Sequence, residues 1–283
     1  MADEDRPQIP DGAERPLPPG PLLRIGHGGL QLEVAPEAGG RIAQIRVDGE
    51  PWLVGPDDGH PGAIAWGCYP MLPWAGRIRD GAFAFRGRRH RLPANLGPHA
   101  IHGVGFVLRW RIEAHADDRV ELALALPRDA RWPFGGQARQ AIEARRDGLH
   151  LRLSLQADDR DMPQPVLGWH PWFRKPDRLD FRPERVYPRD AQGIAALPTQ
   201  APPAGPWDDC FVSHEPVVLE RGGRRLRLAS GCDHWVVYDQ PAHATCVEPQ
   251  SGPPDVFNLA PATLASGQAL EVWFHLDWTA SGD

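Results

Sequence analysis

At 283 residues, with 41% hydrophobic and 24% charged side chains, the chain has the balance of an ordinary globular protein and material for a sizeable core. The net charge of −6 gives no reason to expect nucleic acid or an anionic membrane as a partner, and no apolar run reaches membrane-spanning length. The acidic, proline-rich start lacks signal-peptide features, and the four cysteines (Cys68, Cys210, Cys232, Cys246) form no Cys-x-x-Cys pair, so buried free thiols in a reducing cytoplasm are expected.

Residues 1–20 hold almost no large apolar side chain before Leu17 and read as a flexible, dispensable arm. Residues 21–283 then read as one domain whose dominant period is two. Weak strand signals fall near 22–26, 30–34, 41–47 and 82–86. Clear alternation follows over 108–114, with Leu108, Trp110, Ile112 and Ala114 on one face, and again over 120–126 and 149–155. Further signals lie at 217–228 and 234–238, and Leu270 to Trp278 alternates once more. No segment offers a long amphipathic helix. Short strands separated by turns rich in the chain's 30 glycines and 32 prolines predict an all-β fold, a large antiparallel β-sandwich.

Four polar spots stand out against this pattern. They are Pro73-Trp-Ala-Gly-Arg-Ile-Arg-Asp-Gly81, His99-Ala-Ile-His-Gly103, Met162 to Phe173 with its Gly-Trp-His-Pro core, and Cys246-Val-Glu-Pro-Gln250. Each sets an ionisable side chain beside Pro, Gly or Trp, in what read as loops at strand ends, where a rigid sheet often presents functional groups. Two histidines, a glutamate and an arginine can supply an acid, a base and hydroxyl-binding donors. Taken singly each has a plainer reading: a surface or core histidine, an edge glutamate, an Arg77–Asp80 ion pair, core tryptophans.

Taken in order, the four spots resemble the aldose 1-epimerase (galactose mutarotase) family, over about residues 22–278. Pro73 to Gly81 matches the family's Pro-x-x-Asn-Arg-Ile stretch, and His102, Gly103 and Trp110 match its His-Gly step and following Trp. Met162, Pro163, Gly168, His170, Pro171, Trp172 and Phe173 match the His-Pro block. Asp208 with Phe211, and Val247 to Gln250, complete the likeness. The resemblance implies the family's two-sheet supersandwich and an isomerase that interconverts the α and β anomers of a monosaccharide. By similarity Glu248 is the general base on the anomeric hydroxyl and His170 the general acid on the ring oxygen. His102 supports that acid, and Arg77 and Asp208 hold ring hydroxyls. Such a reaction needs neither metal nor cofactor.

The chain departs from the family at Gly76, where an Asn is usual, and at Asp158 and Asp159 before the His-Pro block. Phe106 stands where hexose 6-phosphate-active members carry an Arg, and Arg109 reads as solvent-facing, so a neutral or weakly acidic aldose is favoured over a phosphorylated one. Two other classes stay open. A metalloenzyme could use His99, His102, His170 and Glu248 as ligands, although the His-x-x-His pair lies in a Pro/Gly loop and not on a helix. A non-catalytic sugar-binding protein could keep the pocket without the chemistry. The oligomeric state is open.

Overall fold

The computed structural model describes residues 12–280. Two antiparallel sheets carry the fold among these residues. The first runs, in spatial order, Leu23–His27, Leu30–Ala35, Arg41–Val47, Cys68–Met71, Gly168–Arg174, Ala244–Gln250, His234–Tyr238, Asp208–Val212 and Arg185–Tyr187, with Glu50–Pro51 added beside Arg41–Val47. The second runs Arg111–His115, Arg119–Ala125, Gln137–Arg145, Gly148–Gln156, Ala269–Ala280, Arg224–Ser230, Val217–Arg221 and Arg178–Asp180. The expected all-β sandwich is what the chain forms. The one α-helix among the described residues, Val256–Leu259, is a single turn, and no helix there is long and apolar enough to cross a membrane.

The alternation explains the second sheet. Val120, Leu122 and Leu124, Leu149 to Leu155 at every second position, and Val272, Phe274 and Leu276 are all buried, so one face of each strand enters the core. Residues 108–114 behave differently from expectation. Trp110 is buried, but the strand begins only at Arg111, Ile112 is 46% exposed, and the register slips between Ile112 and Ala114. A bulged edge strand has no neighbour to cover its second side.

The first sheet meets this core through Trp169 and Trp235, whose rings lie 5.9 Å and 6.2 Å from Phe274. The Trp169 indole N–H donates to Gln140 Oε1 at 3.0 Å. Because successive side chains alternate, Gly168, His170 and Trp172 then face the opposite side, as do Cys246, Glu248 and Gln250 on the next strand. That face is buried too, beneath the segment that follows Met71 and the loop after Tyr187. These strands were not expected: each carries a proline (Pro70, Pro171, Pro249), which argues against a central strand. His170 and Glu248 accordingly stand mid-strand, and not in loops.

The expectation of a flexible arm over residues 1–20 is corrected in its second part. Ala13 is fully buried, its N–H donates to the Asn95 carbonyl at 3.0 Å, and its carbonyl accepts from the Ile64 N–H at 2.9 Å. The Leu17 N–H donates to the Pro61 carbonyl, and Pro16 bridges to Gly62. Backbone pairing holds the segment together with only two apolar side chains, buried Ala13 and half-buried Leu17, which is why composition did not reveal it. Residues 1–11 lie outside the described residues.

Candidate active site

His170 and Glu248 meet because their strands are neighbours. Gly168 pairs with Gln250 and Trp172 with Cys246, so His170 and Glu248 face each other between them, and His170 Nε2 lies 3.1 Å from Glu248 Oε1. Both are almost fully buried. The imidazole is stacked between Tyr69 (4.7 Å) and Trp172 (5.4 Å). The Tyr69 hydroxyl and the Trp172 indole N–H both donate to the Ile64 carbonyl, at 3.0 and 2.7 Å, which fixes the two plates of that stack. Burial drives the Glu248 carboxyl well above the usual range, and nearby Asp208 adds to this while Arg77 opposes it. Burial likewise lowers His170 to about 3, with the Arg41 charge contributing. Both effects favour a pair that is neutral overall and holds one mobile proton.

His102 has φ +57°, a left-handed conformation uncommon for a residue with a side chain. The structure around it accounts for this. The His102 N–H donates to the Gly76 carbonyl at 3.0 Å, and the Gly76 N–H donates to His102 Nδ1 at 3.2 Å. Nδ1 is therefore the acceptor, and in the neutral ring Nε2 carries the proton. Burial, His170 and Arg77 all hold His102 well below the ordinary histidine range, so it stays neutral. The glycine of the His-Gly step is a steric requirement: at φ +74° a Cβ on Gly103 would sit 1.9 Å from the Leu72 carbonyl oxygen. Arg77 lies on the short strand Arg77–Ile78, paired with Ala100–Ile101, so the first two motifs are neighbours in space. Among the described residues Arg77 has no carboxylate within ion-pair distance, and the plain Arg77–Asp80 pairing does not occur. Asp80 instead lies near His99.

These groups surround a cavity of about 280 Å³, lined among others by Arg77, His102, His170, Trp172, Asp208 and Glu248. All five expected site residues thus converge. Asp208 stands at the end of the strand Asp208–Val212, where Arg189 Nη1 donates to its carboxylate at 2.6 Å. Burial raises the Asp208 pKa, although Arg189 and Arg77 act against it. Arg189, Tyr238 and Glu14 also line the cavity and were not expected. Arg189 sits in a proline-rich loop with no periodicity to mark it, and Glu14 lies on the segment read as an arm. Arg41 was missed as well. Its buried guanidinium donates to the carbonyls of Ala38, Ala63, Trp66 and Phe106 and so ties together the loops around Tyr69.

Other expectations divide. His99 does not line the cavity, and its Nδ1 accepts the Asp80 N–H at 3.1 Å. The four-ligand set of His99, His102, His170 and Glu248 is therefore not assembled. Phe106 is fully buried against Tyr69 and His102 and faces the core. Arg109 is paired with Glu37 and faces solvent, as expected.

A family model of aldose 1-epimerase matches residues 21–277. The chain belongs to the aldose 1-epimerase family. The Escherichia coli (strain K12) protein YphB is 30% identical over 155 residues, 54% of this chain and 51% of YphB, so the match spans about half the length of that relative. Among solved structures, a galactose mutarotase-like protein from Clostridium acetobutylicum superposes with a TM-score of 0.80 at 16% identity, covering 92% of this chain and 95% of that one. Galactose 1-epimerase from Lactobacillus acidophilus gives a TM-score of 0.75 at 17% identity, with the same coverage. At such identities the likeness establishes the fold, the two-sheet mutarotase sandwich.

Proposed function

We propose that the protein catalyses mutarotation of a free aldose, with Glu248 and His170 as its proton-transfer pair. The observation that carries this reading is the buried His170–Glu248 contact facing a cavity near the lower end of the small-molecule range, about 300–1,000 Å³. The anomeric hydroxyl and the ring oxygen share one carbon, so acid and base must stand side by side, as these two do. Glu248 takes the proton of the anomeric hydroxyl, His170 gives one to the ring oxygen, and the bond from the anomeric carbon to the ring oxygen breaks to leave an aldehyde. Rotation about the adjacent carbon–carbon bond turns the other face, and closure returns both protons. The working pair (carboxylate and imidazolium) holds the same number of protons as the neutral pair that burial favours, so one transfer across 3.1 Å connects them. His102 donates its Nε2–H to the sugar beside His170, and Arg77 and Asp208 hold ring hydroxyls.

The cavity wall carries Glu14, Asp208 and Asp209 against Arg77 and Arg189, and Arg189 is already engaged with Asp208. That balance suits a neutral sugar better than a phosphate. Four buried free cysteines suit a reducing cytoplasm. The test is anomer exchange followed by NMR over neutral, acidic and phosphorylated aldoses. A neutral aldose should have a higher kcat/KM than its 6-phosphate, and activity should survive prolonged chelation. Exchange no faster than buffer for every sugar, with the sugars still bound, would instead support a non-catalytic binding protein.

A further inference from the structure

One side chain beside the proton-transfer pair has no part in the chemistry above. Cys246 lies two residues before Glu248 on the same face of its strand, opposite Trp172 in the register, and is fully buried. Ligand atoms of His170, Cys246 and Glu248 all lie within 4.8 Å of one another. Bond lengths of about 2.0–2.3 Å to nitrogen, oxygen and sulfur put the donors of a tetrahedral site roughly 3.3–3.8 Å apart. Side-chain torsions in Cys246 and Glu248 of the order of 1 Å therefore close the gap, with no movement of the sheet.

We propose that these three side chains form an inhibitory site for one thiophilic dication, zinc or cadmium, whose fourth position opens to the cavity. A thiolate, an imidazole and a carboxylate are the donor types such ions select. Charge also balances: a dication with one thiolate, one carboxylate and a neutral imidazole sums to zero, the condition under which a buried ionic cluster is least costly. Binding releases two protons to solvent, that of the thiol and the mobile one of the His170–Glu248 pair, and nothing is oxidised. With Nε2 and the carboxylate occupied, neither group can move a proton. Metal binding rests on the donor geometry alone, whereas the loss of activity rests on the acid–base roles proposed above.

The experiment is a cadmium titration of the full-length protein with three readouts: calorimetric stoichiometry, the ultraviolet thiolate-to-cadmium charge-transfer band, and anomer exchange. One ion should bind per chain, the band should appear, exchange should fall in parallel, and EDTA should restore it. Magnesium, which prefers oxygen ligands, should do nothing. Loss of an outer-sphere partner alone costs metal sites about 10–100-fold, so Cys246→Ser should raise the inhibitory concentration by at least that much and abolish the band, with basal exchange retained. Cys232→Ser should keep both band and inhibition. A Cys246→Ser protein that binds cadmium and loses activity like wild type, or a wild type that shows no thiolate band, overturns the proposal. Should Cys246→Ser fail to fold, Glu248→Gln and His170→Asn must each weaken calorimetric binding, and full-strength binding by both overturns it. If no aldose undergoes exchange, calorimetry and the band still decide whether the site exists.

Discussion

Glu248 is buried where an ionised carboxylate has poor solvation, and this has a cost in stability that can be measured. Its folded-state pKa is raised, so its favourable contribution is complete below the unfolded value of about 4.3 and is lost as pH climbs toward the folded value. At neutral pH the unfolded chain has an ionised Glu248 that folding must protonate. Glu248→Gln removes that requirement while keeping shape, so its Tm at neutral pH should exceed that of wild type. The gain should vanish near pH 4, and a melting series at both pH values checks this. Gly76 poses a different residue-scale question. At φ +65° an Asn would be tolerated by the backbone, but a Cβ there would lie 2.6 Å from Pro254 Cβ. The missing family amide and Pro254 are thus alternatives for the same space. Gly76→Asn should destabilise by about 1–3 kcal/mol through overpacking, and Pro254→Gly in the same chain, which removes both the Cβ and the Cγ that the new side chain would meet, should recover part of that loss in a denaturant titration.

At the scale of elements, strands with strict alternation were legible because burial of one face imposes a period of two, as in Leu149 to Leu155. The central strands of the first sheet were not, because Gly168–Arg174 and Ala244–Gln250 are buried on both faces and interrupted by proline. The residues proposed to carry function, His170 and Glu248, were recognised by motif, and only the register (Gly168 with Gln250, Trp172 with Cys246) turns two distant motifs into one contact. Gln137–Arg145 escaped notice because three of its four buried positions, Ala138, Gln140 and Ala144, are small or polar, which leaves Ile142 as its one large apolar side chain in the core. The segment 12–20 escaped for the reason that backbone hydrogen bonds leave no compositional mark. Its docking has a consequence. Deletion through Gly20 should lower Tm and raise KM, since Ala13 pairs with Asn95 and Ile64 while Glu14 lines the cavity. Glu14→Ala alone should raise KM with kcat and Tm little changed. Unaltered kinetics and melting after the deletion would show that the docked segment contributes nothing.

For the molecule as a whole, the sandwich is a scaffold whose inner core is made by one face of each sheet and whose proposed chemistry lies on the far face of the first. Trp169 and Trp235 anchor that sheet to Phe274, so the strand that presents His170 is fixed by packing on its other side. The covering segments contribute His102, Arg77 and Glu14, and the loop after Tyr187 contributes Arg189. In the proposed mechanism rigid strands thus hold the proton-transfer pair, and less regular segments hold the sugar. This division predicts that substitutions in the pair change kcat and that substitutions in the cover change KM. The most direct test is the anomer-exchange kcat of Glu248→Gln, measured by NMR on folded protein with the best aldose found. Gln keeps the size of the side chain and one acceptor but cannot take a proton at neutral pH. The proton-transfer role of Glu248 requires that kcat fall by roughly 10²–10⁴-fold while substrate affinity changes little, and that adding His170→Asn cost far less than the product of the two single effects. A folded Glu248→Gln protein that exchanges anomers at nearly the wild-type rate would contradict it.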